Sequence, residues 1–87
     1  MQIRKEEIPI IKSGLEMKKK TLNFKLKQYK ERLKRFEEKY NMSTREFLKK
    51  YNAGELGDEA YLLEWEYLAD AANLTKQELK EVEKISL

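Results

Sequence analysis

Residues 36–65, FEEKYNMSTREFLKKYNAGELGDEAYLLEW, contain the signals that decide the fold of this chain. Within them, Ser43 and Glu46 have the spacing of a capping box, in which each side chain accepts a hydrogen bond from the other residue's backbone N–H. Gly54 follows, and glycine adopts without steric strain the left-handed conformation that commonly ends a helix. The stretch therefore predicts a short helix over residues 43–53.

A turn and a second helix start come next in the same stretch. We expect Gly57 to turn the chain and the Asp58 side chain to cap the helix that follows. Apolar side chains cluster around these turns, so we expect them to form the core, with Trp65 largely buried against Phe36, Tyr40 and Phe47. The members of this cluster are Phe36, Tyr40, Phe47, Tyr51, Leu56, Tyr61 and Trp65.

Two long apolar patterns flank this corner, and both alternate steps of four and three residues, which is typical of helices that pack along one stripe. The first predicts a basic helix over residues 14–40, which begins at a Ser13–Glu16 capping pattern and ends at Asn41. The second predicts an acidic helix over residues 58–85, and a break near Asn73 is the alternative. The patterns comprise Leu22, Leu26, Tyr29, Leu33, Phe36 and Tyr40, then Tyr61, Trp65, Leu68, Ala72, Thr75, Leu79 and Val82. Leu15 belongs to the first pattern as well, but Lys19 interrupts it between Leu15 and Leu22.

Because the two long helices have similar lengths and a compact corner joins them, the sequence predicts an all-α fold, an antiparallel helical hairpin. Residues 1–12, MQIRKEEIPIIK, look different. Their isoleucines are β-branched, and Pro9 biases the residue before it toward extended conformations. We therefore predict an extended N-terminal arm, which either folds back over the helices or adds to a partner or a second copy.

The composition excludes several classes of chemistry. The 87 residues fit a single domain and contain no cysteine and no histidine, so the commonest nucleophile-activating base and the thiolate metal ligands are missing. Glu55, Asp58 and Glu59 do not follow a calcium-loop pattern, and no glycine-rich phosphate loop occurs. We predict no enzymatic activity, no metal and no cofactor. Without a membrane-length apolar run or a signal peptide, we expect a cytoplasmic protein.

The charge is unevenly distributed along the chain. Residues 1–35 carry twelve Lys or Arg against four Glu, whereas residues 36–87 carry seven against twelve Asp or Glu. A basic face can attract nucleic acid, and Phe24 could stack on a base, so nucleic-acid binding is an alternative function. Flanking charges beside an apolar stripe are more often solvated helix surface. The basic row would comprise Lys18, Lys25, Arg32 and Lys39.

Two helices that bury one stripe each leave other apolar side chains uncovered. We therefore expect a protein partner, a second copy of the chain in a dimer or higher oligomer, or both. A homo-oligomeric structural protein is a further alternative. Leu62 and Ile85 also lie off the stripes, and we expect them to be among the uncovered side chains. The predicted partner-binding residues are Ile3, Ile8, Ile10, Ile11, Phe24, Leu63, Tyr67 and Leu74.

Residues 36–65 also resemble a group of small prokaryotic proteins encoded as antitoxin-like partners in two-gene toxin–antitoxin modules. The matching residues are Phe36-Glu37-Glu38-Lys39-Tyr40, Met42-Ser43, Glu46-Phe47, Gly54-Glu55-Leu56-Gly57-Asp58 and Glu64-Trp65. This chain has Asn41 where the family typically has glycine, and Tyr61-Leu62-Leu63 where it tends to have phenylalanines. The resemblance covers about a third of the chain. It implies a protein that neutralises a toxin-like partner by binding, without chemistry of its own.

Overall fold

The computed structural model describes residues 3–85, so residues 1, 2, 86 and 87 lie outside the description below. The elements in chain order are a 3-10 helix, Lys5–Glu7, and three α-helices, α1 (Ile8–Tyr40), α2 (Thr44–Asn52) and α3 (Ala60–Glu83). No strand occurs between residues 3 and 85, and the predicted all-α fold class is confirmed. The molecule is elongated and measures 56 × 22 × 18 Å.

The predicted extended arm over residues 1–12 is wrong from Lys5 onward, whereas Arg4 before it has an extended backbone, with φ −75° and ψ 150°. Residues 5–7 form the 3-10 helix, and α1 begins at Ile8, several residues earlier than predicted. Pro9 occupies the first turn of α1, where proline is tolerated because the backbone N–H groups there have no partner within the helix. Ser13 consequently lies inside α1 and not at its start.

The helices α1 and α3 pack against each other through the two predicted apolar stripes. The buried members of those stripes are Leu22 and Leu26 from α1 and Trp65, Leu68, Ala72, Thr75 and Val82 from α3. The contacts run in opposite order along the two helices. They place Tyr40 on Tyr61, Phe36 on Trp65, and Lys18 beside Glu78.

The long acidic helix α3 continues without a break through Asn73, as predicted. Thr75 is the one buried polar side chain among the described residues, at 7 % exposure. Its hydroxyl donates to the carbonyl oxygen of Ala71 one turn earlier, at 2.8 Å. Because the helix itself satisfies this hydroxyl, Thr75 packs at an apolar position of the stripe without an unpaired polar group.

The turn between α1 and α2 uses two side-chain caps. Asn41 adopts the predicted left-handed conformation after α1, with φ 49° and ψ 50°. Ser43 caps α2, and its hydroxyl accepts from the backbone N–H of Glu46 at 3.1 Å. The carboxylate of Glu37 also lies in the turn and accepts a hydrogen bond from the backbone N–H of Thr44 at 2.6 Å. The capping box thus forms in part, and α1 supplies a carboxylate to the start of α2.

The loop between α2 and α3 agrees with the prediction at one glycine and departs from it at the helix start. Gly54 is left-handed, with φ 72°, and follows Ala53, the residue that caps the end of α2. Gly57 lies in the loop, outside the left-handed region. The predicted Asp58 cap is wrong, because Glu59 is the extended residue that precedes α3, which begins at Ala60. The Glu59 side chain makes no cap hydrogen bond.

We expect Gly54→Val to lower the free energy of unfolding by about 1–3 kcal/mol, because a β-branched residue is strained at a positive φ. No atom lies within 4 Å of a Cβ built at residue 54, so backbone strain alone would cause the loss. Gly57→Ala is the matched control and should change stability by less than about 0.5 kcal/mol. Urea unfolding followed by circular dichroism measures both variants. Equal stability of the valine variant and the wild type would contradict the left-handed assignment.

The best-buried cluster lies where α2 crosses the end of the helix pair. It consists of Phe47, Leu62 and Trp65, each at most 3 % exposed. Leu62 was expected among the uncovered side chains, and that expectation is wrong because Leu62 lies in this cluster with Phe47 of α2. The predicted burial of Trp65 is confirmed. Its ring stacks on Phe47, Phe36 and Tyr40, with centroid distances of 4.1, 5.4 and 5.9 Å.

Candidate protein-binding surface

Three large apolar side chains of α1 lie in solvent at a constant spacing of seven residues. Ile10, Met17 and Phe24 are 74, 68 and 64 % exposed. A seven-residue step turns a straight α-helix by only about 20°, so the three side chains follow one face of α1. Leu22 and Leu26, which face the core, lie on the other side of the helix. We call Ile10, Met17 and Phe24 the α1 row.

A second set of exposed apolar side chains follows α3. Leu63, Tyr67 and Leu74 are 60, 62 and 56 % exposed. Their spacings of four and seven residues place them within about 40° of one another at 100° per residue. Trp65 and Ala72, which are buried, lie on the opposite side of the helix by the same spacing. We call Leu63, Tyr67 and Leu74 the α3 row.

The two rows lie in surroundings of opposite charge. The helix α1 contains eleven Lys or Arg against four Glu, and α3 contains six Asp or Glu against two Lys. Helical spacing places lysines on both sides of the α1 row and acidic residues within and beside the α3 row. The lysines are Lys18, Lys20, Lys25 and Lys27, and the acidic residues are Glu66, Asp70, Glu78 and Glu81.

The isoleucines of the N-terminal segment do not form one binding element. Ile3 is 41 % exposed and precedes the 3-10 helix. Ile8 and Ile11 are half-buried on α1, whereas Ile10 projects into solvent as the first member of the α1 row. The structure thus separates the predicted partner-binding isoleucines, and Ile10 alone shares a face with Phe24.

Sequence reasoning missed Met17, which belongs to the α1 row although it was absent from the predicted binding residues. The signal was present, because Met17 lies seven residues from both Ile10 and Phe24. The predicted exposure of Phe24, Leu63, Tyr67 and Leu74 is confirmed. Ile85 is also exposed, at 49 %, but it follows the end of α3 and is not part of the α3 row.

The predicted basic row lies on α1 beside carboxylates of α3. The Lys18 Nζ is 3.2 Å from a carboxylate oxygen of Glu78, and both side chains are about half exposed. Farther along, Glu64 lines the same shallow groove as Arg32 and Lys39. These carboxylates lower the positive potential that phosphate contacts need. Nucleic-acid binding through Lys18, Lys25, Arg32 and Lys39 stays a prediction.

The chemistry available to the described residues is limited. Between residues 3 and 85, no group of three or more acidic side chains is placed to hold a metal ion. Partial burial is the main cause that raises the pKa of the Tyr61 hydroxyl above its usual value, and a hydrogen bond and the charge of Glu59 add to it. The phenol therefore stays protonated at neutral pH and offers no base. None of the helices in this range is long and apolar enough to cross a membrane.

No protein-family model, no curated protein and no solved structure matches this chain. The resemblance of residues 36–65 to antitoxin-like proteins therefore remains a prediction. The residues that carry it lie mainly at the corner, where Ser43 caps α2, Gly54 ends it and Trp65 fills the core. The α1 row lies outside that stretch, and so the case for a binding function depends on the two rows themselves.

Proposed function

We propose that this chain is a protein-binding module, built as an antiparallel two-helix hairpin, that neutralises a toxin-like partner protein in the cytoplasm of a prokaryotic cell by binding to it. The observation that carries the proposal is the pair of exposed apolar rows on α1 and α3. All six side chains are between 56 and 74 % exposed. Scattered exposed apolar residues are common on any protein, but aligned rows along helices are typical of interaction surfaces.

Binding is favoured over catalysis in part because four of the described serine and threonine hydroxyls already have hydrogen-bond partners within the fold. Ser43 accepts the capping bond, and Thr44 accepts a hydrogen bond from the Trp65 indole N–H at 3.0 Å. Thr21 and Thr75 donate to carbonyl oxygens of their own helix. The chain contains no histidine or cysteine to supply a base or a thiolate nucleophile.

The antitoxin part of the proposal rests on the resemblance of residues 36–65. Those residues build the corner that holds α1 and α3 together, and the rows on the two helices are what a partner would contact. The net charge of α1 favours an acidic partner, because a basic helix attracts it over several ångströms before contact. Apolar contacts would then set the dissociation rate, while the lysines act mainly on the association rate.

The test uses the protein encoded by the gene next to that of this chain. The two proteins are co-expressed and co-purified, and their affinity is measured by calorimetry. Tyr67→Ala with Leu74→Ala should weaken the complex at least about tenfold, as should Met17→Ala with Phe24→Ala, since buried aromatic and aliphatic anchors dominate such interfaces. Asn73→Ala is a matched control, because Asn73 is exposed on α3 outside the α3 row.

A charge-reversal variant distinguishes binding through the basic face from binding through the apolar rows. Reversing Lys18 and Lys25 to Glu should lower mainly the association rate and its salt dependence. If this reversal abolishes the complex while the row variants bind normally, the basic face is the binding site. Nucleic acid then becomes the candidate ligand, and its affinity should fall steeply with salt. If no variant changes the affinity, or the two proteins do not associate, the proposal is wrong.

A further inference from the structure

We infer that copies of this chain bind one another head to tail, with the α1 row of one copy packed against the α3 row of the next. This contact goes beyond the proposed function, because it requires no second protein. It uses the same two rows, so a toxin-like partner and a second copy would compete for them. It specifies both halves of the interface, Ile10, Met17 and Phe24 on one copy and Leu63, Tyr67 and Leu74 on the other. Each half is exposed in the single chain, and each offers the other an apolar surface.

The two rows are suited to each other in length and shape. At about 1.5 Å per residue the α1 row spans roughly 21 Å and the α3 row roughly 17 Å. Between the large side chains of the α1 row lie two small residues, Gly14 and Thr21, both exposed. No atom lies within 4 Å of a Cβ built at Gly14. Large side chains of a facing helix fit into such gaps, as knobs do into holes in a coiled coil.

Charge selects the head-to-tail pairing over the two symmetric ones. Packing two α1 rows together would bring the flanking lysines of both copies close to one another. Packing two α3 rows together would oppose Asp70, which lies within the row, and its acidic neighbours. Pairing α1 with α3 brings lysines to carboxylates instead. The chain already makes this kind of pair internally, where Lys18 lies 3.2 Å from Glu78.

The positions of the rows determine what kind of assembly results. Each row lies on the side of its helix that faces away from the buried stripe between α1 and α3. A second copy that covers one row therefore leaves the other row free. Such a contact joins different surfaces of the two copies, so it continues into a ring or an open chain of copies. The apparent mass of the pure protein should consequently rise with concentration beyond that of a dimer.

The test is a complementation experiment with two variants, each carrying two added carboxylates. The α1-row variant combines Met17→Glu with Phe24→Glu, and the α3-row variant combines Tyr67→Glu with Leu74→Glu. Sedimentation velocity should show that the wild type assembles and that each variant alone is monomeric. An equal mixture of the two variants should form a dimer and nothing larger. That dimer keeps one intact α1 row and one intact α3 row, and both of its ends are blocked.

The controls exclude effects of charge and of folding. Asn23→Glu with Asn73→Glu also adds two carboxylates, one on each long helix but outside the rows, and should assemble like the wild type. Circular dichroism checks the helix content of every variant. If a glutamate variant loses helix, Met17→Ser with Phe24→Ser or Tyr67→Ser with Leu74→Ser replaces it. High salt should weaken wild-type assembly about tenfold, since screening removes the lysine–carboxylate attraction.

Three results would overturn the inference. The first is a wild type that stays monomeric up to several hundred micromolar. The second is a folded row variant that still assembles by itself, because one of the two symmetric contacts would then hold the copies together. The third is an equal mixture of folded variants that stays monomeric. Neutralisation of a toxin-like partner could still hold in each case, so the two proposals fail independently.

Discussion

Replacing Trp65 by alanine should lower the free energy of unfolding by about 3–5 kcal/mol, as deletion of a large buried aromatic side chain does in other cores. Trp65 is 1 % exposed and lies between Phe47 at 4.1 Å and Phe36 at 5.4 Å, measured between ring centroids. Its indole N–H also donates to the Thr44 hydroxyl at 3.0 Å, which ties α3 to the first residue of α2. The alanine variant loses the apolar burial, the stacking and this hydrogen bond together.

Circular dichroism during urea unfolding is the appropriate measurement, because the variant has no tryptophan left for fluorescence. Asn73→Ala is the matched control, since Asn73 is an exposed residue of the same helix that lies outside the α3 row. It should change the free energy of unfolding by less than about 0.5 kcal/mol. Trp65→Phe should give an intermediate loss, because phenylalanine keeps much of the stacking and cannot donate to Thr44. A wild-type midpoint for Trp65→Ala would mean that the corner cluster is not the core.

The corner could be predicted from the sequence because its signals are local. A serine cap depends on the residue and its backbone over three positions, and a left-handed glycine depends on its own φ. Ser43 and Gly54 accordingly have the predicted roles. The contribution of Glu37 was not predictable in this way. Its carboxylate meets the N–H of Thr44 seven residues later, and only the folded turn brings the two together.

The start of α1 was mispredicted because the β-branched isoleucines and Pro9 were interpreted as features of an extended segment. Proline disfavours a helix only beyond the first turn, and the residues after it can continue a helical pattern. Ile8, Ile11 and Leu15 are spaced by three and four residues, which extends the apolar stripe of α1. All three are half-buried in the structure. The periodicity was therefore the stronger predictor, and β propensity was overridden by packing.

The same periodicity predicted which side chains of the candidate surface are exposed. One exception shows what a helical pattern cannot predict. Leu63, Tyr67 and Leu74 lie off the buried stripe of α3 and are exposed as predicted. Leu62 is also off that stripe, yet it is 3 % exposed because it packs with Phe47 of α2. A helical pattern predicts which side faces a neighbouring long helix. It does not predict where a third, short helix crosses the pair.

Replacing Leu22 by alanine should lower the free energy of unfolding by about 2–5 kcal/mol, the range for buried leucines. Leu22 is 1 % exposed and lies on α1 between the corner and the Lys18–Glu78 ion pair. In this half of the molecule α2 is absent, so only α1 and α3 cover each other. The surface ion pair contributes little by itself, because both charges are about half exposed. Packing of Leu22 therefore supplies much of the stability at this end.

The expected loss has a location as well as a size. Without Leu22 the end of the helix pair should open more readily than the corner, since the stacked rings around Trp65 hold the corner independently. Hydrogen exchange should therefore speed up in residues 75–83 much more than in α2. Asn23→Ala, at the exposed next position of α1, controls for a general effect on the helix. If the Leu22 variant exchanges evenly along the chain, or keeps wild-type stability, α1 and α3 are not held together along this half by their apolar stripes.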